Sequence, residues 1–259
     1  MDTAKKNTSA TLKSRIQNGD VVYGMSLLTF SPTVAEIAAL ADFDFVLIDM
    51  EHGHGGLPEA LPCLHALAAA KTPAVIRVPD SSSSFWARKA IDLGAQGIVF
   101  PMIQDPQSAA KAVSFCRSPV SPAARASRFG LDGHCQKDLL IICQVESPEA
   151  VECAEEIAAV EGVDMIMVGP LDLSAGIGCL RNPKDERVME MVDRVEKKVL
   201  GAPRKEGGGP FLGRFGTALD SPEAFRDRGY RLVRVNLDVT LFRNACIQDV
   251  INFKSTKLC

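Results

Sequence analysis

The chain repeats one pair eight times: a short, almost unbroken apolar run, then an amphipathic stretch. The runs are VVYGMSL (21–27), FVLIDM (45–50), PAVIRVP (73–79), GIVFPMI (97–103), LLIICQVE (139–146), VDMIMVGP (163–170), PFLGRFG (210–216) and RLVRVNLD (231–238). Their β-branched content favours strands, and their near-continuous apolarity suits parallel strands buried on both faces. Between them, 31–41, 57–70, 87–93, 106–116, 148–160, 183–200, 222–228 and 241–253 carry apolar residues at helical spacing. Several of these open with Ser-Pro or Asp-Pro, a cap followed by a first-turn proline. Eight such units in 259 residues fit a single (β/α)8 TIM barrel. Residues 1–20 would lead into it, and 240–259 would form the closing helix and tail. A doubly wound open sheet satisfies the same periodicity. No stretch marks a linker to a second domain.

Composition removes several function classes. The net charge is −3 and the basic residues are scattered, so no stripe exists for a nucleic-acid backbone. No apolar run approaches the roughly 18 residues of a membrane span, and the N-terminus MDTAKKNTSATLKSR is polar. The 8 cysteines form no C-x-x-C pair and read as reduced thiols. The expected setting is cytoplasmic, without membrane or nucleic-acid partners.

In a barrel, catalysis sits where the strands finish. There the apolar runs end in chemistry-bearing residues: Asp49, Glu51 and His52 after the second, Arg77 in the third, Glu146 after the fifth and Asp172 past the sixth. Each alone has an ordinary reading as an ion pair or a cap; together they describe a site. Glu146 and Asp172 are hard oxygen donors from adjacent strands, suited to Mg²⁺ or Mn²⁺. His52 is the natural proton-transfer group. Asp49, three residues earlier, is placed to hold its imidazole, and Arg77 to offer fixed positive charge to a developing enolate oxygen.

DMEHG, VIRVP, AIDLGAQGIVFPMI, QVESPEAV and GVDMIMVGPLDLSAGIG, in that order, resemble the HpcH/HpaI aldolases, and FDFVLIDMEHGH is similar to the fungal macrophomate synthase branch. The resemblance runs from about Gly24 to Gly178 and, more weakly, to about Phe242. It implies a metal-dependent class II aldolase, a carbon–carbon lyase working through a pyruvate enolate on a small 2-keto acid, with oxaloacetate decarboxylation as a companion reaction. It implies metal ligands at Glu146 and Asp172, with Mg²⁺ as the first choice and Mn²⁺ or Co²⁺ as alternatives. His52 would be the base, Asp49 its partner and Arg77 the enolate-stabilising cation. Gln144, Gly169, Pro170 and Leu171 would meet substrate, as would Asp92, supplied across a subunit boundary. It also implies a homo-oligomer, a trimer or hexamer, that swaps its C-terminal helix.

The chain departs from the family where a Pro-Pro-x-Gly-x-Arg-Gly loop is usual: CRSPVSPAARASRFGLDGH is shorter and lacks Gly-Arg-Gly. A loop of that kind shapes the pocket in the family, which puts substrate choice in question. The glycines at 207–209 do not read as a phosphate cradle, because no glycine-rich turn follows the eighth run. A Schiff-base aldolase needs an inward strand lysine, and no apolar run contains one. Citrate-lyase-like enzymes read a CoA thioester, and no basic cluster awaits its phosphates. Two further readings remain open: an enzyme adding an oxaloacetate-derived enolate to a 2-pyrone, and an inactive paralogue serving as an assembly partner.

Overall fold

The computed structural model describes residues 10–180, 182–203, 205, 208–215 and 221–255. Residues 1–9 of the expected lead segment, Gly207 and the tail 256–259 lie outside the described residues. Eight parallel strands close into one barrel in sequence order. They are β1 (Val22–Leu27), β2 (Phe45–Asp49), β3 (Ala74–Arg77), β4 (Gly97–Phe100), β5 (Leu140–Val145), β6 (Met165–Val168), β7 (Phe211–Phe215) and β8 (Tyr230–Leu237). Each begins within one or two residues of the start of an expected run. Pairing of β8 with β1, from Val22 beside Leu232 to Ser26 beside Leu237, closes the sheet and removes the open alternative.

The helices are α1 (Leu12–Gln17), α2 (Pro32–Leu40), α3 (Leu57–Ala69), α4 (Ser84–Asp92), α5 (Pro106–Cys116), α6 (Pro148–Glu152), α7 (Ala154–Ala159), α8 (Pro170–Gly176), α9 (Glu186–Gly201), α10 (Pro222–Asp227) and α11 (Asp238–Ser255). Ser31, Asp105, Ser147 and Ser221 each cap a helix that begins with proline, accepting a backbone N–H in its first turn. The stretch 148–160 is not one helix. It breaks at Cys153, whose φ of −95° and ψ of 9° lie in the bridge region. The offset lets Ala150 and Val151 on one side of the break, and Ala154, Ile157 and Ala158 on the other, all stay buried.

One core lies between the strands and the outer helices. A second fills the lower barrel, and α1 completes it. Leu12 and Ile16 are fully buried against Val22, Phe45, Leu47, Val99, Ile142 and Leu232. Burying one such side chain contributes about 1.5–3 kcal/mol. Thr11 caps α1 by accepting the Ser14 N–H at 3.2 Å. Lys13 pins it to the barrel rim through the Leu139 carbonyl at 3.1 Å and Asp164 at 2.8 Å. The helix therefore stoppers the end where the strands begin.

At the chain's other end, Asp238 is the only buried residue of α11. Its carboxylate accepts the N–H groups of Leu28 and Thr29 at 3.0 and 2.9 Å, tying the end of β8 to the loop after β1. The rest of α11 leaves Leu241, Phe242, Ile247, Val250, Ile251 and Phe253 exposed. Among the described residues no helix is long and apolar enough to cross a membrane.

Candidate active site

Alternation along the strands decides what the upper barrel contains. On β2, Phe45 and Leu47 point into the lower core, so Asp49 points in above them. The same parity carries Val75 to Arg77 on β3, Ile142 to Gln144 on β5, Leu232 to Arg234 on β8 and Val22 to Ser26 on β1. On these five strands the alternation thus turns a polar residue inward above the apolar core, and all five are buried, as is Glu146 just past β5; β4 and β6 carry Val99 and Met167 instead.

Arg77 organises this layer. It sits beside Asp49 in register, and its Nε donates to Asp49 Oδ1 at 2.9 Å while Nη2 pairs with Oδ2. Nη1 meets Glu51 at 2.8 Å and Gln144 Oε1 at 3.5 Å. Burial pushes the Asp49 carboxyl up, but the bonds and charge of Arg77 outweigh it and hold Asp49 below the usual carboxylate range. Burial likewise opposes the Arg77 charge, and Asp49, Glu51 and Glu146 more than restore it.

The turn after β2 is wound around Asp49, whose Oδ1 also accepts the N–H of Glu51 at 3.2 Å and of His52 at 3.3 Å. Gly53 is required there, since a Cβ would lie 2.4 Å from the Asp49 carbonyl oxygen and 2.5 Å from the Phe30 ring. This geometry corrects the expected Asp49–His52 side-chain pair. Arg77 has taken the Asp49 carboxylate, which reaches His52 only through the backbone. The carboxylate nearest the imidazole is Glu51, 3.8 Å from His52 Nε2. The His52 side chain is 57% exposed and stands at the mouth of the site.

Glu146 receives the Met102 N–H at 2.7 Å on Oε1 and the Gln144 amide on Oε2. Met102 holds that N–H in place from a left-handed backbone, φ 51°. Gly169 closes over the same carboxylate, and a Cβ there would sit 2.6 Å from Glu146 Oε2. Gly169 precedes α8, with Pro170 buried and Leu171 exposed. Asp172 lies in the first turn of α8, half-buried.

Burial raises Glu146 to about 7, and the neighbouring charges of Asp172 and Glu51 add to it. Glu51 is raised too, first by burial. Carboxylates that disfavour one another's charge in an oxygen-only donor set fit a divalent cation. Among the described residues no group of three or more His, Cys, Asp and Glu converges to hold a metal by itself. Glu146 and Asp172 are two oxygen donors, so an ion held by them would keep several positions for water or substrate, as Mg²⁺ does.

Two expected contributors lie elsewhere. Asp92 ends α4, at the end of the barrel where the strands begin, and accepts the Ser121 N–H at 3.5 Å. It is remote from the site of its own chain. The shortened segment 118–133 lies at that same end, with Arg125 donating to the Leu93 carbonyl at 2.7 Å. It cannot shape its own chain's pocket, because it joins α5 to the start of β5. A cavity of about 550 Å³ also opens there, lined in part by Lys13, Lys137 and Lys205. Lys205 donates to the carbonyls of Val160 and Val163 at 2.5 and 2.9 Å, so it satisfies the end of α7.

The site contains residues that sequence reasoning did not assign. Glu51, named at the strand end but given no role, is one, and Met102 is another. Arg234 is the third, 6% exposed, with Nη1 donating to Ser26 Oγ at 2.5 Å. Burial, and then repulsion from Arg77, lowers it to about 10. Counting by twos from Leu232 would have turned it inward.

The model of the HpcH/HpaI aldolase/citrate lyase family matches residues 23–245. A hydroxypyruvate/pyruvate aldolase of Paraburkholderia phytofirmans is 32% identical, over 94% of this chain and 97% of its own. A 2-keto-3-deoxy-L-rhamnonate aldolase of Escherichia coli K12 is 31% identical, over 95% and 93%. The crystal structure of an HpcH/HpaI family protein from Burkholderia cenocepacia superposes with a TM-score of 0.84 at 32% identity, over 94% of this chain and 99% of its own. Macrophomate synthase shares the fold, with a TM-score of 0.74 at 24% identity, over 94% and 89%. With its closed barrel and its buried polar row, the chain belongs to the HpcH/HpaI aldolase/citrate lyase family.

Proposed function

We propose that the chain makes and breaks a carbon–carbon bond next to a pyruvate enolate, cleaving 4-hydroxy-2-keto acids and decarboxylating oxaloacetate. The observation that carries this is the buried Arg77, clamped by Asp49 and Glu51 with Gln144 and Glu146 beside it. Glu146 and Asp172 would hold the divalent cation, Mg²⁺ first. When bound, it supplies Lewis-acid polarisation of the keto oxygen. Arg77, unable to lose its proton and held rigid by two carboxylates, offers fixed positive charge to the enolate oxygen. Gln144 orients both Arg77 and Glu146. Gly169, Pro170 and Leu171 open α8 beside the substrate carboxylate; the Gly169 N–H is held by the Val145 carbonyl at 3.1 Å and Pro170 has none, so the Leu171 N–H in the first turn is the one left to favour an anion. His52 takes the proton from the C4 hydroxyl as the C3–C4 bond breaks, and a proton delivered to the enolate carbon then completes pyruvate; in the reverse direction a proton leaves pyruvate C3 and His52 returns one to the C4 alkoxide. Glu51, rather than Asp49, steadies the imidazole.

The test is cleavage of a 4-hydroxy-2-keto acid with and without Mg²⁺. Glu146→Gln should lower metal-dependent kcat by more than about 10²-fold, the scale of losing one preorganised electrostatic partner, with the circular dichroism unchanged. Full activity in a chelator sinks the reading.

We place the chain in a reducing, cytoplasmic setting; the free, buried Cys63, Cys116 and Cys143 support this. The exposed apolar side of α11 calls for a cover, and a second copy of the chain supplies it in a trimer or hexamer. Asp92, at the strand-start end, would then serve a neighbour's site. Sedimentation should report an oligomer, and a stable, active monomer refutes this.

A further inference from the structure

Arg234 is a buried cation that forms no ion pair among the described residues. Its hydrogen bond among the described residues goes to a neutral hydroxyl, Ser26 Oγ. The Phe215 ring covers one face of the guanidinium at 5.2 Å. Its Nε is buried with no partner. A guanidinium does not shed its proton, so the charge persists, and burying it unpaired is costly. The nearby carboxylates are engaged elsewhere: Asp49 and Glu51 by Arg77, Glu146 by Met102 and Gln144. The layer therefore holds a planar fork, aimed inward, whose natural complement is a carboxylate.

Position tells which carboxylate. The 2-keto acid head belongs at Glu146, Asp172 and Arg77, past β5 and β6 and at the end of β3. Arg234 and Ser26 stand on the β8–β1 wall, three strands around from β5. We propose that Arg234, with Ser26, recognises a second carboxylate on the substrate, at the end remote from the 2-keto acid head. The preferred substrates are then dicarboxylates. This rests on the enolate reading above and deepens it.

The test is calorimetric binding in Mg²⁺ of pyruvate and of matched pairs that differ only in the far end: 2-oxoglutarate with 2-oxopentanoate, and 2-oxoadipate with 2-oxohexanoate. In at least one pair the wild type should favour the diacid by about 10- to 100-fold, the worth of a charged hydrogen-bonded contact. Arg234→Met should abolish that preference, Arg234→Lys should keep part of it, and pyruvate affinity should change less than about threefold in both. Retained pyruvate binding also shows that a variant is folded. The wild-type pairs and Arg234→Lys decide the matter if Arg234→Met does not fold. Turnover then assigns the source of the carboxylate. Selective loss on 4-hydroxy-2-oxoglutarate, relative to 4-hydroxy-2-oxopentanoate, places it on the aldehyde half. Selective loss of oxaloacetate decarboxylation places it on the C4 carboxylate, the one that leaves as carbon dioxide. A wild type without diacid preference, or an unchanged preference in Arg234→Met, overturns the inference. A wild type that does not bind pyruvate overturns the enolate reading beneath it.

Discussion

The two ends of the barrel interior are built by the same alternation and differ in every other respect. Where the strands begin, the inward residues are apolar, and Leu12 and Ile16 of α1 complete them as a dry stopper. Where they finish, the inward residues are Ser26, Asp49, Arg77, Gln144 and Arg234. The lower end is held by area removed from water. The upper end is held by opposite charges that are expensive singly and tolerable together. The first arrangement stabilises without chemistry. The second is poised for chemistry because its balance is incomplete: burial raises two carboxylates, Glu146 and Glu51, and Arg234 forms no ion pair among the described residues.

The largest expected effect tests whether the chemistry is confined to the upper mouth. His52→Ala should lower kcat for aldol cleavage by roughly 10²–10⁴-fold, the usual worth of a positioned base. Because the imidazole is exposed, stability should move by no more than about 0.5 kcal/mol. Decarboxylation removes no hydroxyl proton and should suffer less. His54 is also exposed and lies against Phe30 rather than the carboxylates, so His54→Ala should leave kcat nearly intact. Equal losses in the two reactions, or a larger loss at His54, would reassign the base.

A smaller effect blurs the division, since one residue of the reactive end is also structural. Asp49→Ala strands the buried Arg77 with one carboxylate fewer and should cost about 3–5 kcal/mol in urea unfolding. The folded-state pKa of Asp49 is depressed. Its stabilisation is thus present above the unfolded value, about 3.9, and is lost as pH falls through the lower folded value. The variant should lack that acid-sensitive component. Identical melting of both proteins at neutral pH would show that Glu51 suffices to hold Arg77.

What the sequence disclosed follows the same split. Apolar runs identify strands because burial on both faces constrains every position, so all eight were legible, as were Asp49, Arg77, Glu146 and Asp172 at their ends. The partners were not. Asp49 pairs with Arg77 through barrel register, a relation between positions 28 residues apart that no local spacing encodes. Arg234 looked like one more charge in RLVRVNLD until parity with Leu232 turned it inward. Helix α1 was hidden by its length: six residues with two buried side chains make no periodic signal. The break at Cys153 depends on packing that the 148–160 pattern does not contain.

The smallest expected effect belongs to the stopper and probes the lower end alone. Thr11 accepts the Ser14 N–H and in turn receives the Ser14 hydroxyl on its carbonyl oxygen. A six-residue helix has too few internal bonds to persist in isolation, so α1 depends on this cap and on Leu12 and Ile16. Thr11→Ala should destabilise the protein by about 1 kcal/mol. Fraying of α1 would expose Leu12 before the strands part, so hydrogen exchange should quicken across 12–17 while the amides of β2 and β5 keep their protection. No residue of α1 reaches the polar layer, and kcat should be unchanged. A fall in kcat without a fall in stability would mean that the two ends of the interior are coupled through the packed layers between them, and that the lower core sets the geometry of Arg77 and Gln144 as well as holding the barrel closed.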